Sequence, residues 1–287
     1  MKAAAFTHHL PRSTGEAAAL LADVAPDGGR IIAGGQTLVA IMALRLAQPP
    51  HLIDINAIPG LDHVIHNGGI LHIGALVRHS AMHRLPPAIP GAALLARIAG
   101  HIAHLPIRNR GTVCGSLAYA DPAAEWGLVL AALDGAVTAH SRRGRRLIPA
   151  ADYFQGIMTT ALAEDELIVE AQFTLPPPGT ACGFHEVSRR AGDYAMAMAL
   201  VSYRLEAGRI AAPCIAIGGA EAFPRRLPGA EAALHGAPPT TASFRHAADQ
   251  AAAEIDPITD GQVDAGLRRD LVRAVIHRAL QQAAAGA

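Results

Sequence analysis

Two short stretches carry residue types suited to binding an anion. Ala33-Gly34-Gly35-Gln36-Thr37-Leu38 and Gly111-Thr112-Val113-Cys114-Gly115-Ser116 each combine glycines with hydroxyl or amide side chains. Small residues let backbone approach a ligand closely, and inward-pointing N–H groups beside a helix start cradle phosphate. Neither stretch is the dinucleotide fingerprint GxGxxG or the loop GxxxxGK[ST], and glycines also occur in turns that bind nothing. Lys2 is the only lysine, which removes a phosphate-gripping loop lysine and a Schiff-base lysine from the available chemistry. Cys114, Cys182 and Cys214 form no CxxC or comparable spacing, so no metal cluster is expected from this chain alone. His79 and His83, and His101 and His104, have helical spacing without an acidic third ligand nearby, so core or surface histidines are the expectation rather than a metal site.

Each glycine stretch needs a strand or helix on either side to hold it. A short strand near Ala3 to Phe6 is expected first, then a helix over Ser13 to Ala25 capped by Ser13 or Thr14. Arg30 to Ala33 reads as a short buried strand, the first glycine turn follows, and Leu38 to Ala47 is helical. His51 to Asn56 alternates as a strand, and Asn67-Gly68-Gly69 joins two strands as a hairpin. A helix over Gly91 to His104 leads into the second glycine stretch, which Arg108 and Arg110 flank. Asp121-Pro122 reads as the start of another helix, continuing as a buried run from Trp126 to Leu133. The arginines of Arg142 to Arg146 surround Gly144 at a solvated hairpin tip, and Glu166 to Leu175 is a strand.

Pro176-Pro177-Pro178-Gly179 is the clearest break, and the main domain boundary is expected there. Beyond it, three strands are predicted at Gly183 to Arg189, Met196 to Glu206 and Arg209 to Gly218, with Ala207-Gly208 as a tight turn. Helices follow at Ala230 to Leu234, Ser243 to Ile255 and Val263 to Gln282.

At 287 residues, 51% hydrophobic and 17% charged, the chain has ample core for two domains. A formal net charge of zero gives no electrostatic footprint for nucleic acid. No segment reaches the roughly 18 apolar residues of a membrane span, and the N-terminal MKAAAFTHHLPRSTGE has no long apolar run. Sparse, odd-numbered cysteines fit a reducing compartment, so a cytoplasmic protein is expected.

Five ordered motifs carry a resemblance: AGGQTL, IRNRGTVCGS, ADPAAE, RRAGDYA and IGGAEAFPRR. With them the chain resembles, over its whole length, the medium, flavin-binding subunit of the molybdenum hydroxylases, the xanthine dehydrogenase and carbon monoxide dehydrogenase family. The resemblance implies an α+β fold: a two-subdomain FAD-binding domain of the vanillyl-alcohol-oxidase (PCMH) type over residues 1–177, with subdomains of about 1–57 and 58–177. A C-terminal α+β domain, with a three-stranded antiparallel sheet and helices, would occupy 178–287. It implies FAD in this chain, and a molybdenum cofactor and 2Fe-2S clusters in a large and a small partner subunit, assembled as a dimer of heterotrimers. Electrons would pass from those clusters through FAD to an external acceptor.

Carried over by position, Arg30, Ile32, Ala33, Gly34, Gly35, Gln36, Thr37 and Leu38 form the first FAD loop. Gly111, Thr112, Cys114, Gly115 and Ser116 belong to the second. Asp121 is a further FAD-binding position, and Glu125 matches an acidic residue that in relatives bonds the ribityl or ribose hydroxyls, the alternative for Glu125 being a favourable charge at a helix start. Ile168 and Arg189 stand near the adenine or the ring. Tyr194 covers one face of the flavin or is an ordinary half-buried strand-end tyrosine. Arg30 stands where relatives often carry lysine, and TVCGS replaces their usual TxGGN, so Cys114 requires φ < 0 or strain. Two other classes remain: a flavin-free accessory or assembly protein, with Cys114 as the defect, and a stand-alone flavoprotein oxidase.

Overall fold

The computed structural model describes residues 2–286. The chain opens with β1 (Thr7–His9), α1 (Thr14–Val24), β2 (Arg30–Ile32), α2 (Leu38–Ala43) and β3 (His51–Asp54). Ser13 caps α1 by accepting a hydrogen bond from the Glu16 amide at 3.1 Å. The first strand lies at Thr7–His9 rather than Ala3 to Phe6, because it is there that it pairs in parallel with His51 to Ile53. The sheet order is β1-β3-β2. The second helix ends at Ala43, short of the expected Ala47. Arg45 turns to φ +58° there, and the Leu46 amide closes back onto the Ile41 carbonyl.

A five-stranded antiparallel sheet follows, built from β4 (Val64–Asn67), β5 (Ile70–Gly74), β6 (Ala136–Ser141), β7 (Gly144–Pro149) and, after a two-stranded hairpin, the later strand Leu167–Thr174. Its first hairpin turns through Gly68 and Gly69, both at positive φ as a two-residue turn requires. Between β5 and β6 lie a 3-10 helix (His79–Arg84) and α3 (Ala92–His101), α4 (Leu105–Arg108), α5 (Val113–Tyr119) and α6 (Glu125–Ala132). All eight residues of α6 are buried. It begins at Glu125 and not at Asp121-Pro122. Asp121 instead closes a turn, accepting from the Ala123 amide on its side chain and from the Ala124 amide on its carbonyl. After β7 come α7 (Ala150–Tyr153), the hairpin β8 (Phe154–Gly156) and β9 (Thr159–Thr160), and the central strand β10 (Leu167–Thr174). Arg143 and Arg146 at the β6–β7 tip pair with Asp165 and Glu166, which accounts for the basic run.

The C-terminal part is a four-stranded antiparallel sheet, not a three-stranded one: β11 (Ala181–Ser188), β12 (Ala195–Glu206), β13 (Arg209–Gly218) and β14 (Arg225–Arg226). The extra strand is two residues long, so it has no periodicity to reveal it. Ion pairs hold it, two local and two with residues distant in sequence: Arg225 with Glu221 and with Glu254, Arg226 with Glu231 and with Asp134. Helices α8 (Pro228–Leu234), α9 (Thr241–Glu254) and α10 (Ala265–Ala285) cover one face. The other face joins the core of the preceding sheet through Phe184, Met198, Leu200, Cys214 and Ala216. Burial on both faces explains why β12 reads as an almost unbroken apolar run. Gly183 lets α10 lie flat on β11, since a Cβ there would stand 1.9 Å from the Ala279 carbonyl oxygen. Among the described residues, no helix is long and apolar enough to cross a membrane.

Candidate functional site

The glycine stretches meet. At Gly34 an added Cβ would stand 2.3 Å from the Arg110 carbonyl oxygen and 2.7 Å from the Gly111 Cα, so absence of a side chain lets the two backbones touch. Gly35 turns the chain at φ +71°. Among the described residues, the backbone N–H groups of Gly34, Gly35, Gln36, Thr37 and Leu38 donate to no protein acceptor. Gln36 folds its side-chain amide onto the Gly34 carbonyl at 3.3 Å. The seam is stapled by two residues that have no local signature in the sequence. Arg78 donates to the Arg110 carbonyl and to Asn56 Oδ1 at 2.7 Å, and Asn56 Nδ2 donates to the Ala33 carbonyl at 2.7 Å.

The second stretch is the start of helix α5 and not an open turn. Thr112 is its N-cap, accepting from the Gly115 amide at 3.0 Å. Cys114 is not among the residues at positive φ, and its side chain is buried with Sγ 3.6 Å from the Ile73 carbonyl. No backbone strain arises from its Cβ. Burial pushes its thiol pKa up, so it is not a reactive thiolate. Arg108 donates to the Ile102 and Ala103 carbonyls, both at 2.8 Å, and so closes the end of α3.

These segments line a cavity of about 850 Å³, within the size range of cofactor sites. Every carried-over residue from Arg30 and Ile32 to Leu38 borders it, as do Gly111, Thr112, Cys114, Gly115, Ser116, Asp121, Glu125, Ile168 and Tyr194. Arg189 does not: it is exposed and lies outside the lining. Adjacent Ser188 donates to the Arg190 carbonyl, closing a local turn there. Tyr194 is 63% exposed at the rim, so it is not the half-buried strand-end residue of the ordinary alternative.

His79 enters the site in a role its sequence position does not signal. Its Nδ1 accepts from Trp126 Nε1 at 2.9 Å. Indole is a donor only, so the imidazole proton sits on Nε2. That edge faces Gly111, where a Cβ would lie 2.7 Å away, and the residue borders the cavity. Burial, then the charges of Arg108 and Arg78, lower the His79 pKa to about 4. It is therefore a neutral donor, and its partnership with Trp126 removes Nδ1 from any metal. Among the described residues, no group of three His, Cys, Asp or Glu is placed to hold a metal ion.

At the other end, Glu125 is 8% exposed, with its own backbone amide as the hydrogen-bond donor to its carboxyl. Burial, followed by Glu186, raises its pKa to about 8. Asp121 is raised by burial as well. The cavity thus pairs a donor-rich end at the loops with an end lined by carboxyls. This suits a long ligand with an anionic segment and a hydroxyl-rich or hydrogen-bonding segment. The residues present fit FAD: five free amides at a glycine seam for the pyrophosphate, and room for the rest.

Comparison with known proteins agrees. Residues 4–177 match the family model described as "FAD binding domain in molybdopterin dehydrogenase", and residues 183–283 match "CO dehydrogenase flavoprotein C-terminal domain". The nicotine 6-hydroxylase medium subunit of Paenarthrobacter nicotinovorans is 39% identical over 285 residues, covering 99% of each chain. The carbon monoxide dehydrogenase medium chain of Hydrogenophaga pseudoflava is 33% identical, covering 97% of this chain and 96% of that one. Among solved structures, a carbon monoxide dehydrogenase chain from the same organism superposes with TM-score 0.94 at 35% identity, with 99% of both chains covered. A chain of quinoline 2-oxidoreductase from Pseudomonas putida 86 does so at 0.94 and 34%, covering 100% of this chain and 99% of that one.

Proposed function

We propose, from the premise that this chain belongs to the family of FAD-binding medium subunits of molybdenum hydroxylases, that its 850 Å³ cavity holds FAD across the Gly34–Gly111 seam. The chain is the flavin-carrying, electron-transfer part of a multi-subunit oxidoreductase. Bound FAD supplies the redox chemistry, linking 2Fe-2S clusters of a small subunit, downstream of a molybdenum cofactor in a large subunit, to an external acceptor.

The chain's own residues bind and orient. The amides of Gly34 to Leu38 receive the pyrophosphate, and Arg78 and Asn56 keep the two loops closed around it. His79 adds a neutral Nε2–H donor at the seam. Thr112, Gly115 and Ser116 form the wall of the second loop. Arg30 and Ile32 border the first, Ile168 supplies an apolar surface, and Asp121 and Glu125 take up hydroxyl or ring donors. Tyr194, at the rim, covers the open face. Arg189, exposed outside the lining, has no part in this reading.

The same reading covers organisation. FAD-binding subdomains of the vanillyl-alcohol-oxidase type span about 1–57 and 58–177, and the partner-facing C-terminal domain spans 178–287. Large and small subunits complete a dimer of heterotrimers, and unpaired cysteines fit a cytoplasmic site of action.

The observation that carries the reading is the set of five free amides at a seam that only glycine allows. A visible spectrum of the purified chain tests it. Bands near those of free FAD are expected. A colourless, folded chain that cannot be reconstituted with FAD would favour the accessory class, whose motive in Cys114 is weakened by that side chain's burial in the core. Oxidation of a small substrate by the isolated chain would point to the stand-alone oxidase.

A further inference from the structure

We propose that Arg268 is the positioning residue that aims Tyr194 at the mouth of the cavity, by holding the β-bulge from which that tyrosine emerges. The inference rests on the reading above, in which Tyr194 covers the open face. Arg268 lies near the start of α10, 2% exposed and outside the cavity lining. Its guanidinium donates to the Met196 carbonyl at 3.0 Å, to the Gly219 carbonyl, and to Asp260 Oδ2 at 2.7 Å. A cation buried against one half-exposed carboxylate, with its Nε unpartnered, is a poor source of stability. What it supplies is geometry, because neither Met196 nor Gly219 has a partner in the sheet ladder and their carbonyls need a donor.

Between β11 and β12, Val187 pairs with Ala197 and Ser188 with Ala195, so Met196 is the extra residue of a bulge. A bulge bends its strand and re-aims the side chains beside it. Tyr194 stands two residues before Met196, exposed at the rim, so its direction follows from the backbone held on either side. On one side is Gly192 at φ +86°, where a Cβ would stand 2.8 Å from His104 Cε1 and 3.0 Å from the Ala103 carbonyl oxygen. That turn therefore lies flat against the chain just past α3. On the other side the anchor is Arg268.

The same guanidinium fixes a second segment of the rim. Gly219 turns at φ +72°, and a Cβ there would stand 2.9 Å from the Ala195 carbonyl oxygen. Its amide donates to the Pro122 carbonyl at 2.7 Å, and Pro122 follows Asp121, which borders the cavity. One buried arginine thus ties the strand that carries Tyr194 to the turn that presents Asp121.

The test reads Tyr194 itself. The full chain is made with fluorotyrosine at its four tyrosines, and the Tyr194 fluorine resonance is assigned by its loss in Tyr194→Phe. In the flavin-free chain, Arg268→Met is expected to narrow the Tyr194 resonance and shift it toward free fluorotyrosine. Tyr153 and Tyr203, buried in the two cores, should stay in place and report an intact fold. Arg268→Lys, which keeps charge and donors without the planar fork, should restore part of the shift. With FAD bound, a tyrosine against the flavin quenches its fluorescence by electron transfer and a phenylalanine does not. Arg268→Met should therefore brighten bound FAD at parent flavin content, as Tyr194→Phe does, and the double variant should be no brighter than Tyr194→Phe alone. In Arg268→Met, a Tyr194 resonance at its parent position, a parent brightness, or brightening that adds in the double variant overturns the proposal. Where Arg268→Met does not fold, Asp260→Asn, which loosens the guanidinium from its carboxylate, takes its place with the same outcomes. Unchanged brightness in Tyr194→Phe, or a chain that takes up no FAD, overturns the reading above instead, and the fluorine resonance then decides the role of Arg268 by itself.

Discussion

Gly34 sits where two backbones leave no room for a methyl group. Gly34→Ala is expected to push the first loop off Arg110 and Gly111, at a cost of about 1–3 kcal/mol, the usual range for overpacking. Flavin-to-protein absorbance should fall with it, and a variant with parent flavin content would show that the seam is not the cradle. The glycines were legible in the sequence as a pair of anion-binding candidates because their types and spacing are local properties. Arg78 and Asn56, which close the seam, were not, since Arg78 reaches a carbonyl 32 residues away and Asn56 one 23 residues away. Cys114 was misleading for a related reason. A one-dimensional motif gives the presence of a Cβ and not the direction in which a helix turns it, here toward the carbonyl of Ile73.

At the scale of elements, periodicity was the dependable guide. The helices α1 and α3 and the glycine hairpin between β4 and β5 follow from apolar spacing and turn chemistry. Structure without periodicity was hidden: the two-residue β14 draws on Glu254 and Asp134, 29 and 92 residues away, and the delayed start of α6 follows from Asp121 closing a turn onto Ala123. The conversion of the second glycine stretch into α5 turns on Thr112. Thr112→Ala should cost about 1 kcal/mol through loss of the N-cap, and Thr112→Ser should retain most of it. Denaturant midpoints of the two variants check this, and equal losses would place the role of Thr112 in packing instead.

For the whole molecule, three buried titratable groups set how stability changes with pH. His79 is lowered from 6.5 to about 4, so the unfolded chain binds its proton first and this group's own contribution to stability falls as pH drops through that interval. Glu125 and Glu186 are raised from 4.5 to about 8 and about 7. There the folded chain holds the extra protons, so their contribution is complete below 4.5 and is lost as pH rises toward 8. Between 4.5 and 6.5 the two carboxyls outweigh the single imidazole, so thermal unfolding of the flavin-free chain should show a net loss of stability as pH rises from 4.5 toward 8, and Glu125→Gln should flatten it. The bond between Trp126 and His79 has a further use. This is the chain's sole tryptophan, fully buried and one side chain from the cavity. Its fluorescence is therefore a single-site optical gauge: emission from an apolar, blue-shifted environment, which overlaps flavin absorption and is quenched by energy transfer as the cavity fills.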